Sequence, residues 1–223
     1  MHPRMKHAVL ASACALAACA PMSTSTTSQN PMSFFVTSAN PGKGADFGGL
    51  AGADAYCQKL ATSAGSSAKN WRAYLSSTAS GGAPAVNARD RIGRGPWKNA
   101  KGLVVATSVD DLHGSNNKLS KENSLTEKGE VISGRGDAVN MHDILTGSTA
   151  EGSVDTSAAD TTCGNWTKSA EGSAMVGHHD RDGTNPDPVA NVSWNASHGT
   201  RGCGMAALKS TGGAGLMYCF AAN

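Results

Sequence analysis

The sequence has little charge, few aromatic residues and no long hydrophobic run. Charged residues make up 16% of its 223 positions and aromatic residues 5%, whereas an average soluble domain has roughly 25% charged residues. This composition excludes a coiled coil or helical bundle, which would be rich in Ala, Glu, Lys and Leu. No apolar run approaches the roughly 20 residues of a membrane-spanning helix. The 27 glycines instead predict one globular domain with many loops.

The chain also lacks an excess of charge of one sign. Its formal net charge is +2, but Arg4 and Lys6 lie in a segment that we expect to be removed on export. That removal leaves 17 basic residues from Cys19 onward, equal to the 17 acidic ones. A neutral chain does not attract nucleic acid or an anionic membrane surface through bulk charge. We therefore expect no nucleic-acid partner.

Motifs of common catalytic sites are missing as well. The sequence contains no G-x-S-x-G, Walker or dinucleotide-binding fingerprint. Asp110 and Asp111 with His113 are imaginable acid–base groups, but a helix start explains the acidic pair better, because carboxylates interact favourably with the helix dipole. We do not expect an enzyme.

The N-terminal segment has the pattern of a secretory signal, with basic residues followed by a short apolar run. The run ends in Leu-Ala-Ala-Cys at Cys19, which resembles the bacterial lipobox, where the cysteine is acylated and becomes the mature N-terminus. An ordinary signal peptide cleaved nearby is the alternative. A lipid on Cys19 predicts an exported protein anchored to the cell envelope, at the outer membrane of a Gram-negative host. The expected organisation is a signal peptide (1–18), a flexible Ser/Thr-rich tether (19–32) and a folded domain (33–223).

Four cysteines remain in the expected domain, and none of them has the C-x-x-C spacing of a zinc or redox site. An even number of cysteines in an exported protein predicts two disulfides, for which three connectivities exist. A catalytic cysteine with His198 or His142 is an alternative that disulfide formation would silence. The four residues are Cys57, Cys163, Cys203 and Cys219.

Apolar patterns predict short strands and few helices. Residues 50–62 place Leu50, Ala53, Cys57, Leu60 and Ala61 on one helical face. Ser108 is expected to start another helix, and residues 87–92 form a helical turn. Trp71, Trp97 and Trp166 are expected in the core. The predicted strands cover residues 33–38, 71–76, 103–106, 143–147, 162–167 and 215–221.

Four local motifs stand out in the expected domain: GGLAGADAYC (48–57), W-x-AYLS (71–76), CGNWT (163–167) and LMYCF (216–220). Together they resemble a family of secreted bacterial proteins, some labelled lectins, that have the C-type-lectin-like fold, and they also resemble the endostatin domain of collagens. The resemblance implies a single α+β domain of mixed short strands with long loops and two disulfides. It implies that Cys57–Cys219 joins the first helix to the last strand and that Cys163–Cys203 closes the long-loop region.

The corresponding long loop binds calcium in sugar-binding C-type lectins. Here it offers four oxygen donors within eight residues, and Gly183 suits a sharp turn. Ala196 stands where the family has an Asp ligand, and an Asp/Gly/Asn-rich turn without metal is the alternative. His178 and His179 are an alternative nitrogen pair for zinc, but adjacent side chains diverge on a strand. The candidate calcium ligands are Asp180, Asp182, Asn185 and Asp187.

A sugar site is predicted beside that loop, because sugar sites combine an aromatic face with planar hydrogen-bonding groups. Trp194 in the core is the alternative reading of its tryptophan. The function expected from the resemblance is non-catalytic recognition of a carbohydrate or an extracellular partner by a surface lipoprotein. A structural or protein-contact module of the envelope, without sugar or metal, is the alternative. The candidate ligand-binding residues are Trp194, Asn195, His198 and Arg201.

Overall fold

A computed structural model describes Met1 and residues 30–157 and 159–222. The expected lipidation site Cys19, and all but Met1 of the expected signal peptide, lie outside the described residues. Within these ranges, no helix has the length and apolar character needed to cross a membrane.

The described chain is a mixed α+β domain of short elements. The helices are α1 (Gly49–Ser63), α2 (Ala88–Arg91), α3 (Val109–His113), α4 (Cys163–Trp166), α5 (Pro188–Asn191) and α6 (Met205–Ser210). The strands are β1 (Phe34–Val36), β2 (Trp71–Ala73), β3 (Trp97–Lys98), β4 (Val104–Ala106), β5 (Asp143–Leu145), β6 (Met175–His178), β7 (His198–Gly199) and β8 (Gly213–Ala221).

Strand β8 organises the main sheet, whose order is β1-β8-β5-β6-β7, with β2 also paired to β8. The β5–β8 pair is parallel, and the other pairs are antiparallel. Strand β8 is a nearly continuous apolar run because it is buried on both faces. Its successive side chains enter two different core clusters, with Met217 and Cys219 on one side and Tyr218 and Phe220 on the other, as the alternation of a strand requires.

Both disulfides are formed with the pairing that the family resemblance implies. Cys57 on α1 joins Cys219 on β8 with a Cα–Cα distance of 5.6 Å, and Cys163 joins Cys203 at 5.7 Å. Both distances lie in the ordinary disulfide range. The predicted burial of the three core tryptophans is also confirmed, since Trp71, Trp97 and Trp166 are at most 2% exposed.

The strand predicted at residues 162–167 is wrong. The segment is a single tight turn, α4, whose four residues have φ between 49° and 67°, a left-handed conformation that non-glycine residues rarely adopt. Local hydrogen bonds hold it there. Asp160 accepts from the backbone N–H groups of Thr162 and Gly164, and Asn165 accepts from the backbone N–H of Thr78.

Helix α1 buries a carboxylate that the apolar-face analysis missed. Asp54 accepts hydrogen bonds from Arg72 at 2.8 Å, from Arg91 at 2.7 Å and from the backbone N–H of Ala73 at 3.0 Å. Its side chain and that of Arg91 are only 10% and 12% exposed. The ion pair therefore fastens α1 to β2 and α2.

Asp54→Asn should lower the free energy of unfolding by about 2–3 kcal/mol, because a charge-assisted bond is replaced and Arg91 loses its buried counter-charge. Urea denaturation measures the change. Asp110→Asn is the control, since Asp110 pairs with Arg89 at the surface and such pairs contribute little. An equal effect of the two substitutions would contradict this role of Asp54.

Candidate metal centre

Three neighbouring strands bring histidines from distant parts of the chain to one place. Asp143 on β5 lies directly opposite His178 on β6, and His198 on β7 lies opposite Val176. Residues two apart on a strand point to the same face, so His198 shares a face with His178. His142 immediately precedes β5. We call His142, Asp143, His178 and His198 the His–Asp cluster.

The cluster is centred on the Asp143 carboxylate. Its Oδ1 atom lies 3.2 Å from Nε2 of His142 and 3.4 Å from Nε2 of both His178 and His198. The His142 and His178 rings stack with a centroid distance of 4.2 Å. Asp143 and His178 are at most 2% exposed, whereas the His198 side chain is 31% exposed. The cluster is thus buried on one side and reaches solvent past His198.

The nearest oxygen to the opposite nitrogen of each ring has no hydrogen to donate. A neutral imidazole facing such an acceptor carries its proton on Nδ1 and presents the lone pair of Nε2 to the cluster. Metal-binding histidines commonly have this second contact, which fixes the ring and its tautomer. The contacts are His142 Nδ1 with Asp180 Oδ1 at 3.2 Å, His178 Nδ1 with Asn191 O at 2.9 Å, and His198 Nδ1 with Gly199 O at 3.2 Å.

The unpartnered groups in the cluster favour a cation. Burial lowers the pKa of His178, so its ring is neutral at pH 7 and its Nε2 lone pair faces an anion. Both carboxylate oxygens of Asp143 and Nε2 of His178 have no hydrogen-bond partner among the described residues. Buried polar groups without partners are costly. The contact with Asp143 raises the pKa of His198, but a proton there leaves Nε2 of His178 without a partner.

A metal ion fits this arrangement by distance and by chemistry. The ligand atoms of His142, Asp143 and His178 all lie within 4.8 Å of one another. Ligands bound to Zn²⁺ at about 2.0–2.1 Å in a tetrahedron are roughly 3.3 Å apart, and the nitrogen–oxygen distances here are 3.2–3.4 Å. Imidazole nitrogen suits zinc, copper, nickel and iron, whereas calcium takes oxygen ligands.

A small polar pocket of about 170 Å³ opens over the cluster. The loop after β6 forms part of its wall and approaches the His178 ring closely. A Cβ atom at Gly183 would lie 2.4 Å from Cε1 of that ring, so only glycine permits this approach. The pocket is lined by Arg135, Asn140, His142, His178, Gly183, Thr184, His198 and Thr211.

The predicted calcium ligands have other contacts in this structure. Asp180 orients His142, Asp182 pairs with Arg135 at 3.2 Å, the Asn185 amide donates to the Ser197 carbonyl, and Asp187 caps α5. Burial acts to raise the pKa of Asp180, but hydrogen bonds from His142 and the backbone of Arg135 outweigh it and lower the pKa. Asp180 therefore stays ionised behind His142.

Two predicted sugar-binding residues are buried. Trp194 is 3% exposed and packs against Tyr74 and Tyr218. Asn195 is 1% exposed and donates to the Tyr74 hydroxyl at 3.0 Å. Trp194 therefore lies in the core, which was the alternative reading of this residue. The face of its ring is not open to a sugar.

The other two predicted residues lie nearer the surface. His198 belongs to the His–Asp cluster, and Arg201 is exposed. His179 directly follows the last residue of β6 and lies outside the His–Asp cluster, and its Nε2 lies 3.5 Å from the Ser133 carbonyl.

Sequence reasoning missed Asp143 and saw His142 only as a possible partner of a cysteine. The available signal was the His-Asp pair at the start of a predicted strand. Histidines and carboxylates at strand ends meet when those strands pair. The pairing of β5 with β6 was not predicted, so the sequence did not show that this His-Asp pair lies beside His178.

Neither a scan against protein-family models nor a search of curated proteins finds a match to this chain. The functional assignment therefore rests on the geometry of the His–Asp cluster.

Proposed function

We propose that this chain is an exported recognition domain that binds one transition metal ion of the zinc class. The molecule that the domain recognises binds at that ion. One observation carries the proposal. A buried carboxylate faces three imidazole nitrogens at 3.2–3.4 Å, and the carboxylate oxygens and one of these nitrogens have no hydrogen-bond partner among the described residues. Each ring is also oriented from its far side, as metal-binding histidines are.

The setting of the domain is part of the proposal. The two disulfides indicate an oxidising extracellular environment. The cysteine pairing agrees with a C-type-lectin-like fold, and the lipobox-like segment supports a lipid anchor at Cys19 on the outer membrane. The ligand is a carbohydrate or another extracellular molecule, bound without chemical change.

The pocket supports recognition at the ion rather than a purely structural metal. Structural zinc sites are closed by four protein ligands, whereas sites that bind a further molecule keep a position open. His142, Asp143 and His178 are buried and supply three ligand atoms. The fourth position of the ion is left to the pocket, which opens to solvent past the partly exposed His198. A small molecule can therefore approach the ion from the side of His198.

Metal binding is tested by titrating the EDTA-treated, dialysed protein with Zn²⁺, Ni²⁺ and Ca²⁺ in a calorimeter. We expect one Zn²⁺ per chain and far weaker binding of Ca²⁺. His178→Gln should weaken Zn²⁺ binding at least 100-fold, because it removes a nitrogen ligand. His179→Gln is the matched control, since it changes the neighbouring buried histidine outside the cluster, and it should alter the affinity less than about threefold.

Two results would contradict the proposal. One is the absence of stoichiometric Zn²⁺ binding by the folded protein. The other is equal loss of affinity in the His178 and His179 variants, which would place the ion elsewhere or attribute the loss to general destabilisation.

A further inference from the structure

We infer that the pocket beside the metal ion takes an oxyanion group, a carboxylate or phosphate carried by a small polar molecule, with Arg135 as its second point of contact. This inference rests on the proposed metal site and names the ligand class of that site. It follows from which hydrogen-bonding groups the pocket wall still has available.

Arg135 lines the pocket with donors that the protein does not use. Its Nη1 atom donates to Asp182 Oδ1 and to the Gly183 carbonyl, both at 3.2 Å. Its Nε and Nη2 groups have no acceptor among the described residues, and its side chain is 39% exposed. A guanidinium pairs with carboxylate or phosphate through parallel N–H donors. Arg135 is thus held in place by Nη1 and keeps one edge for a ligand.

Asn140 adds a second donor to the same wall. Its Oδ1 atom accepts from the backbone N–H of His142 at 3.2 Å, so the amide N–H₂ group remains for a ligand. A Cβ atom at Gly212 would lie 2.7 Å from Nδ2 of Asn140 and 3.0 Å from Nε2 of His142. The amide and the metal-facing nitrogen therefore both pack closely on Gly212, where a larger residue does not fit, and both residues line the pocket.

The charge at the open position of the ion also favours an anion. A divalent ion with Asp143 leaves one positive charge at the open position. Asp182 is offset by its pair with Arg135, and Asp180 lies behind His142. An oxyanion neutralises this charge while its oxygens accept hydrogen bonds from Arg135 and Asn140. A neutral hydroxyl group can bind the ion through a lone pair but does not neutralise the charge.

The pocket size limits the ligand. About 170 Å³ corresponds to roughly five or six water molecules in the liquid. This volume suits one acidic group and the ring that carries it, such as a single acidic sugar. A longer chain would extend past His198 and Thr184 into solvent.

The experiment titrates the Zn²⁺-loaded protein with glucuronate, glucose 6-phosphate and glucose. Glucuronate tests a carboxylate source, glucose 6-phosphate a phosphate source, and glucose is the neutral match. We expect one acidic sugar to bind at least tenfold more tightly than glucose. EDTA treatment should abolish the difference. In protein loaded with Co²⁺ instead, the same sugar should change the visible absorption of the metal.

Arg135→Gln separates this inference from the proposed metal site. The substitution keeps the backbone N–H that donates to Asp180, so Zn²⁺ affinity should stay within about twofold of wild type. Binding of the acidic sugar should weaken at least tenfold. Arg94→Gln, which removes an exposed arginine outside the pocket, should change neither.

The outcomes are distinguishable. If the protein binds Zn²⁺ but takes acidic sugars no more tightly than glucose, the oxyanion inference is wrong and the metal site stands. Unchanged sugar binding by Arg135→Gln would also overturn the inference. Failure to bind Zn²⁺ at all would overturn the proposed function, and this inference with it.

Discussion

Saturating Zn²⁺ should raise the midpoint of thermal unfolding of the metal-free protein by roughly 8–16 °C. An ion that binds only the folded state at 1,000 times its dissociation constant stabilises it by about 4 kcal/mol. In a domain of this size, each kcal/mol moves the midpoint by about 2–4 °C. The effect arises because the ion ties β5 to β6 through His142, Asp143 and His178. Differential scanning calorimetry with and without Zn²⁺ measures it.

Asp143→Asn should have opposite effects in the two metal states. Without metal, the substitution removes a buried carboxylate whose oxygens have no hydrogen-bond partner among the described residues, so stability should stay equal or rise. With Zn²⁺, the variant lacks the charged ligand and should lose most of the thermal shift. Asp182→Asn changes a half-exposed carboxylate outside the cluster and should keep the shift. A destabilised metal-free Asp143 variant would show that the carboxylate is satisfied within the protein.

Replacing Cys57 and Cys219 together by Ala should lower the free energy of unfolding by about 4–5 kcal/mol. In the chain-entropy model, a crosslink restricts the unfolded chain more as the closed loop lengthens. The Cys57–Cys219 loop spans 162 residues and the Cys163–Cys203 loop 40. The double Ala variant of Cys163 and Cys203 should therefore lose about 1 kcal/mol less.

Urea denaturation of the two double variants under non-reducing conditions measures this difference. Both pairs are fully buried, so the loss of side-chain packing is similar and the comparison isolates the loop length. A larger loss from the Cys163–Cys203 pair would contradict the entropic account. It would instead assign the shorter crosslink to holding the left-handed turn α4.

Much of the framework could be predicted from local patterns. The apolar face of residues 50–62 predicted α1, and the run 215–221 predicted β8, because burial selects the helical or strand period directly. Ser108 was expected to start a helix, and its side chain accepts from the Asp111 backbone N–H at the start of α3. The pairing of the four cysteines came from the family resemblance, since spacing alone left three connectivities open.

The polar long-loop region was predicted less well. No helix or strand was predicted between residues 167 and 215, yet this stretch supplies β6, α5, β7 and α6. These strands are two to four residues long, and they are formed by pairing, β6 with β5 and β7 with β6, rather than by their own composition. Short strands of this kind carry little local signal, because cross-strand contacts stabilise them.

The sequence by itself determined helix α1 and strand β8, the burial of three tryptophans, and an even set of four cysteines in the folded domain. Only the tertiary structure decided that Trp194 lies in the core and that His142, Asp143, His178 and His198 meet. Composition and period report whether a residue is buried, but not which distant residue it faces. The register of β5 against β6, and of β6 against β7, sets that contact, and it depends on the whole sheet.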